Sequence, residues 1–184
     1  MFKLALLIAG IVGVVWFVIG PKAILTGWYS IAPTPAPHNI SLLNWNRYEN
    51  WSLQFSISHP TTWVVSESTN EVIIASTRKG LSEETRKEHL RVSIERTSLE
   101  QDQTLQDYVD QATRDLKLES KKQIKFDNSV GFKIIEQSLS PANIPAIKVY
   151  LSKQNSVYIF SATPADSQLL SAFYQMVESF KIVI

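Results

Sequence analysis

Hydrophobic and polar residues divide this chain into one unbroken apolar run and a longer region where they alternate with a changing period. Residues 4–21 carry no charge between Lys3 and Lys22, and Leu, Ile, Val, Ala, Trp and Phe fill nearly all of them. At 1.5 Å per residue a helix over this stretch reaches about 27 Å, close to the roughly 30 Å hydrocarbon thickness of a bilayer. Residues 23–25 can extend it, and Lys22 can snorkel to the interface. The pattern predicts a transmembrane signal-anchor within residues 1–29, contacting the membrane through residues 4–25. Trp28 and Tyr29 are residue types that sit at headgroup level, as is Trp16, although it lies deeper in the run.

Residues 30–44 form a Pro-rich linker, with Pro33, Pro35 and Pro37 among small residues, a composition that favours extended geometry over helix. Beyond it the period changes. Leu53, Phe55 and Ile57 alternate with Ser52, Gln54, Ser56 and Ser58, which predicts a half-buried strand. His59-Pro60 is expected to break that strand, because proline has no backbone donor, and residues 61–66 to resume an extended run around Trp63. Further strands are expected at residues 71–77, through Leu90, Val92 and Ile94, and at residues 123–126 and 131–138. A hairpin is expected to join residues 146–153 to 157–162 through Gln154-Asn155-Ser156.

Helical spacing occurs twice. Leu105, Tyr108, Val109, Ala112 and Leu116 recur on one face after a candidate capping box formed by Thr104 and Asp107. Leu169, Leu170, Phe173, Met176, Val177 and Phe180 form the second amphipathic pattern. Strands outnumber helices and most neighbours can pair antiparallel. The expected fold is α+β: an antiparallel β-sheet flanked by helices over residues 45–184, preceded by one N-terminal transmembrane helix.

Tyr48, Phe55, His59-Pro60 and Trp63 together resemble the opening signature of PsbP-like domains, an aromatic-rich strand running into a proline and then a tryptophan. The resemblance continues at Thr104-Leu105-Gln106-Asp107-Tyr108 and closes at Val177-Glu178-Ser179-Phe180-Lys181. It implies an α/β/α sandwich around an antiparallel sheet. It also implies mostly non-enzymatic roles, from an extrinsic photosystem subunit to a binder of a small GTPase. No metal-binding or ligand-binding residue of that family is matched residue by residue.

Charge narrows the partners. Of 18 Lys and Arg, two flank the apolar run, leaving 16 against 17 acids, so the domain is nearly neutral. Without a basic field, nucleic acid is an unfavourable partner. The chain has no cysteine, which excludes disulfides, thiolate chemistry and a lipid-modified cysteine. A cleaved signal peptide is the competing reading of the N-terminus, opposed by the length of the apolar run and by Pro37 after the small-residue stretch. Lys3 and the terminal amine before the span favour an extracytoplasmic domain. Ala5, Ala9 and Gly13 form a small helix face that could admit a second helix, or could be chance in an Ala- and Gly-containing span.

Catalytic motifs are missing. Beyond the N-terminal region only Gly80 and Gly131 occur, so neither a phosphate-cradling loop nor a Gly-flanked nucleophile elbow is available. His59 is expected at a turn and His89 in solvent. No short-spaced ligand pair suggests a metal. Asp102, Asp107, Asp110 and Asp115 are expected on solvated surface, as are Lys121, Lys122 and Lys125. Trp45, Trp51 and Trp63, with Tyr48 and Phe55, are expected to serve core and sheet edge, with a ligand surface as the alternative. Asn39-Ile40-Ser41 and Asn50-Trp51-Ser52 match glycosylation sequons.

The sequence therefore points to a membrane-tethered, non-catalytic binding or assembly module, without cofactor, metal or catalytic residues and with a protein partner. The alternatives are a small-molecule or lipid carrier with a cleft between sheet and helix, and a hydrolase whose residues are dispersed along the chain.

Overall fold

The computed structural model describes residues 44–82, 89–126, 129–137 and 144–183. The expected span at residues 4–25 and nearly all of the linker lie outside them. Among the described residues no helix is long and apolar enough to cross a membrane.

A three-stranded sheet combines β1 (Trp45–Asn50), β2 (Phe55–Pro60) and β10 (Lys181–Ile182) in the order β1-β2-β10. The larger sheet has seven antiparallel strands. These are β3 (Val64–Glu67), β4 (Glu71–Ala75), β5 (Arg91–Ser98), β6 (Leu118–Phe126), β7 (Ser129–Glu136), β8 (Ile147–Lys153) and β9 (Ser156–Thr163). Their order is β3-β4-β5-β9-β8-β7-β6. Two helices are described, α1 (Leu105–Ala112) and α2 (Leu170–Ser179).

Alternation decides which residues face which layer. On one face of the large sheet Val72, Ile74, Val92, Ile94, Val149, Leu151, Phe160 and Ala162 are buried against Ala172, Phe173, Met176 and Val177 of α2 and Phe55 and Ile57 of β2. Burying each such aliphatic or aromatic side chain stabilises the fold by about 1.5–3 kcal/mol before chain entropy is counted. Phe180 is a hub, its ring centroid 4.8 Å from Tyr158, 5.2 Å from Phe160 and 6.2 Å from Phe55. The opposite face carries a smaller cluster, in which Val109 of α1 packs with Phe132, Ile134, Tyr150 and Val157.

Several local expectations change. β2 begins at Phe55, with Leu53 in the turn before it, and is buried at Phe55, Ser56 and Ile57 alike rather than half-buried. It runs through His59 to Pro60, which pairs with Trp45. Its other neighbour, β10, reaches only Phe55 and Ser56, so nothing on that side requires the donor that Pro60 lacks. A turn closed by the Trp63 amide on the Pro60 carbonyl at 3.0 Å follows, and β3 begins only at Val64. The capping box at Thr104 and Asp107 is present, but α1 stops at Ala112. There the Thr113 hydroxyl donates to the Val109 carbonyl at 2.7 Å, and Leu116 is left beyond the helix, 39% exposed. β6 starts five residues earlier than expected, at Leu118, because pairing with β7 supports residues that have no apolar alternation of their own. The β8–β9 turn has two residues, Gln154 (φ 49°) and Asn155 (φ 61°), with Ser156 already paired to Lys153. Positive φ at both central positions matches the twist of the flanking strands.

Candidate functional site

The small α1 covers only part of its sheet face and leaves a polar cup of about 470 Å³ beside it. Strand register builds the cup. One row runs Ile73, Ser93, Ser161, Lys148 across β4, β5, β9 and β8, and the next begins Glu71, Glu95, Ile159, Tyr150. Arg91 pairs with Thr163 in the row on the other side. Ser93, Ser161, Thr163 and Ala146 are short, so the floor sinks between longer neighbours. Arg91, Glu71, Glu95, Lys148 and Glu136 form its rim, and Tyr108 and Ala112 of α1 close one wall.

The charges are partly matched. Arg91 lies 3.9 Å from Glu71 and also donates to the Leu81 carbonyl at 2.9 Å. Lys148 pairs with Glu136 at 2.7 Å. Glu95 lies directly opposite Glu71 on the neighbouring strand. Desolvation inside the cup raises the Glu95 carboxyl above its ordinary value, Glu71 raises it further, and Lys148 opposes both, although the residue as a whole remains exposed. Tyr150 is buried and its phenol is pushed up to about 12, first by desolvation and then by Tyr108, Glu136 and Glu95. Tyr108 shifts the same way, with desolvation ahead of Glu95. The two rings stand 6.3 Å apart at 59°.

The residues singled out from sequence fall elsewhere. His59 is buried in β2 rather than at a turn, its Nδ1 2.9 Å from the Pro60 carbonyl, and burial lowers its pKa. His89 is half-buried, not in solvent, and lines a separate depression of about 420 Å³ with Asp166 and Ser167. The Ser167 hydroxyl there accepts from the Leu169 amide at 3.2 Å, at the start of α2. Asp102 and Asp115 are exposed. Asp107 caps α1, and its carboxyl is held below the ordinary range by the Thr104 hydroxyl and amide. Asp110 bonds Lys121, whose ammonium also lies over the Phe132 ring. The three lysines are not one group, because Lys122 alternates to the other face of β6 from Lys121 and Lys125. Among the described residues no three His, Asp or Glu side chains are placed to hold a metal.

The aromatic residues divide. Phe55 and Trp63 are in the core, Trp45 and Tyr48 pack against it, and Trp51 is 66% exposed. Asn50 is buried, with Nδ2 donating to the Tyr48 hydroxyl at 3.0 Å and to Glu67 at 3.3 Å while Oδ1 accepts from the Leu53 amide at 2.7 Å. The folded domain thus encloses the amide that the second sequon would offer for glycosylation, while Asn39 lies outside the described residues. Sequence reading missed the cup. Its only local signals were Arg91, Ser93 and Glu95 on the polar face of β5, and Tyr108 on the apolar face of α1.

No protein-family model and no curated protein sequence matches the chain. Solved structures do match. The chain is similar to the solution structure of cyanobacterial PsbP (CyanoP) from Synechocystis sp. PCC 6803, with 14% identity and a TM-score of 0.54 over 82% of this chain and 99% of that one. A crystal structure from Bacteroides thetaiotaomicron VPI-5482 is similar at 9% identity and a TM-score of 0.56, over 77% of this chain and 49% of that one. The chain thus spans about half of that protein. Protein PA94 of unknown function from Pseudomonas aeruginosa gives a TM-score of 0.46 at 16% identity, over 74% of this chain and 95% of that one. Over most of its length the chain is structurally similar to cyanobacterial PsbP, and its α+β fold, with a seven-stranded antiparallel sheet and two helices, is PsbP-like.

Proposed function

We propose that this chain is a membrane-tethered, non-catalytic binding module, with its domain extracytoplasmic and its role the recognition or assembly of a partner. The observation that carries the reading is the open polar cup on a PsbP-like sheet, whose rim presents charge, whose floor presents hydroxyls and whose lining holds no histidine. The apolar run at residues 4–25 and the Pro-rich linker support the tether. Crosslinking in native membranes followed by co-purification tests the assembly role. A partner recovered in fixed stoichiometry is the expected result, and repeated recovery of the chain alone would overturn it. Protease added to intact cells is expected to remove the domain, and a protected domain would reverse the orientation.

A second reading, a small-molecule binder, is favoured by the position of the cup between the sheet and α1. Its walls are mainly polar, so a lipid chain is a poor occupant and a small polar ligand a better one. Native mass spectrometry of the purified full chain tests it. A co-purifying small ligand is expected, and its consistent absence together with no response to a ligand panel would remove this reading.

A further inference from the structure

The charges of the cup do not balance, and the imbalance has a position. Three carboxylates, Glu71, Glu95 and Glu136, face two cations, Arg91 and Lys148. Both cations have carboxylate partners, Arg91 with Glu71 and Lys148 with Glu136, and Arg91 also bonds the Leu81 carbonyl. Glu95 is therefore the carboxylate in excess, and it sits opposite another acid in the register. Like charges directly opposite across an antiparallel pair are destabilising unless a counter-charge arrives. An anionic ligand would have to displace existing ion pairs, whereas a cationic one would find Glu95 ready.

The surroundings indicate what kind of cation. Tyr108 and Tyr150 line the Glu95 end of the cup, and their phenols, like any ordinary tyrosine's, are neutral at physiological pH. Neutral aromatic faces attract organic ammonium groups through the ring quadrupole. A bare metal ion is poorly served, because no three His, Asp or Glu among the described residues converge. The floor adds hydroxyls from Ser93, Ser161 and Thr163 within the same cup, suited to a polar tail.

We propose that the cup binds a small organic ammonium compound with a hydroxylated or otherwise polar tail, its cationic head at Glu95 beside Tyr108 and Tyr150. The inference rests on the small-molecule reading of the cup. It is separable from the assembly role, because a partner recovered by crosslinking would stand whether or not an ammonium binds.

The test uses the full chain in dodecyl maltoside, which carries no ammonium, titrated with choline and separately with ethanolamine while amide shifts and binding heats are followed. At least one probe is expected to saturate a single site and to shift Ser93, Glu95, Tyr108 and Ser161. The uncharged isostere of choline, 3,3-dimethylbutan-1-ol, is expected to bind roughly tenfold more weakly than choline where choline is the binder. Glu95→Gln and Tyr108→Leu are each expected to weaken binding roughly five- to tenfold, while Trp51→Ser leaves it unchanged. Glu95→Gln keeps the side-chain shape and removes the like-charge contact, so loss of folding does not imitate loss of binding. A second sample containing phosphatidylcholine separates the sources: cup shifts without added choline identify a lipid headgroup, and their absence a soluble ammonium. Failure of both probes to saturate, equal affinity for choline and its isostere, or an unchanged affinity in Glu95→Gln would overturn the proposal. Calcium chloride abolishing the response at equimolar concentration would replace the organic cation with a metal and overturn it equally.

Discussion

The Tyr158 hydroxyl donates to the Leu53 carbonyl at 3.2 Å, tying a central strand of the seven-stranded sheet to the turn of the three-stranded one. The two residues are 105 positions apart in the chain, so the bond exists only once both sheets have formed around Phe180. Tyr158→Phe keeps the ring and removes the donor. It is expected to cost about 1 kcal/mol, seen as a lower urea midpoint with an unchanged slope. A midpoint equal to the parent's would show that this bond contributes nothing net.

Gly131 in β7 is required for space rather than for backbone freedom. A β-carbon there would lie 2.7 Å from Leu151 Cδ2 and 2.8 Å from the Tyr150 carbonyl oxygen. The first contact can relax, but the second is with backbone and cannot move without disturbing the β7–β8 ladder. Gly131→Ala is expected to destabilise by about 2 kcal/mol and Gly131→Val by more. Denaturant titration of both variants checks the order.

His59 sets part of the acid sensitivity. Burial lowers its pKa in the fold below the ordinary value of 6.5, so the unfolded chain takes up the proton more readily. Its stabilising contribution is in place above that value and is lost as pH falls through 6.5 towards the folded pKa. Thermal midpoints measured from pH 8 to pH 5 should decline through this window, and less steeply in His59→Asn. Parallel profiles would assign the decline to other groups.

Glu95 acts in the opposite sense. Its pKa is raised in the fold, so the protonated form is favoured there, and stability is lost as pH rises from the ordinary 4.5 through the folded value. Glu95→Gln should therefore stabilise the domain at neutral pH by about 0.5 kcal/mol, the scale of a like-charge cross-strand pair. The advantage should vanish at pH 4. A variant less stable than the parent at pH 7 would mean that the carboxylate already has a compensating partner.

Two tryptophans of the aromatic entrance separate sharply. Trp51 is 66% exposed and Trp63 only 8%. Trp51→Ser should change stability by less than about 0.5 kcal/mol, whereas Trp63→Ala should cost about 3–5 kcal/mol. If chemical denaturation gave the two variants equal midpoints, the burial assignment would fail.

Sequence alone determined the parts of this protein that depend on near neighbours. The capping box of Thr104 and Asp107 is a property of a few residues and appears in the fold, whereas the alternation of Leu53, Phe55 and Ile57 finds its strand only from Phe55 onward, with Leu53 in the preceding turn and Ser56 buried beside Phe55 and Ile57. The aromatic, Pro and Trp order that resembles PsbP-like domains likewise led to the fold class. Local reading went astray where distant residues intervene. β6 depends on β7 for its length, and His59 is buried because β1 and the core close over a segment that reads as a turn.

The cup was decided by tertiary structure alone. Ser93 and Ser161 form its floor because β5 pairs with β9 in one register, although they are 68 positions apart in the chain. Shifting that pairing by one residue would turn the polar stripe into the core and destroy the cup. Period and charge along a strand specify which side chains share a face. Which faces become neighbours is fixed by strand order and register, and these arise from contacts between residues far apart in the chain.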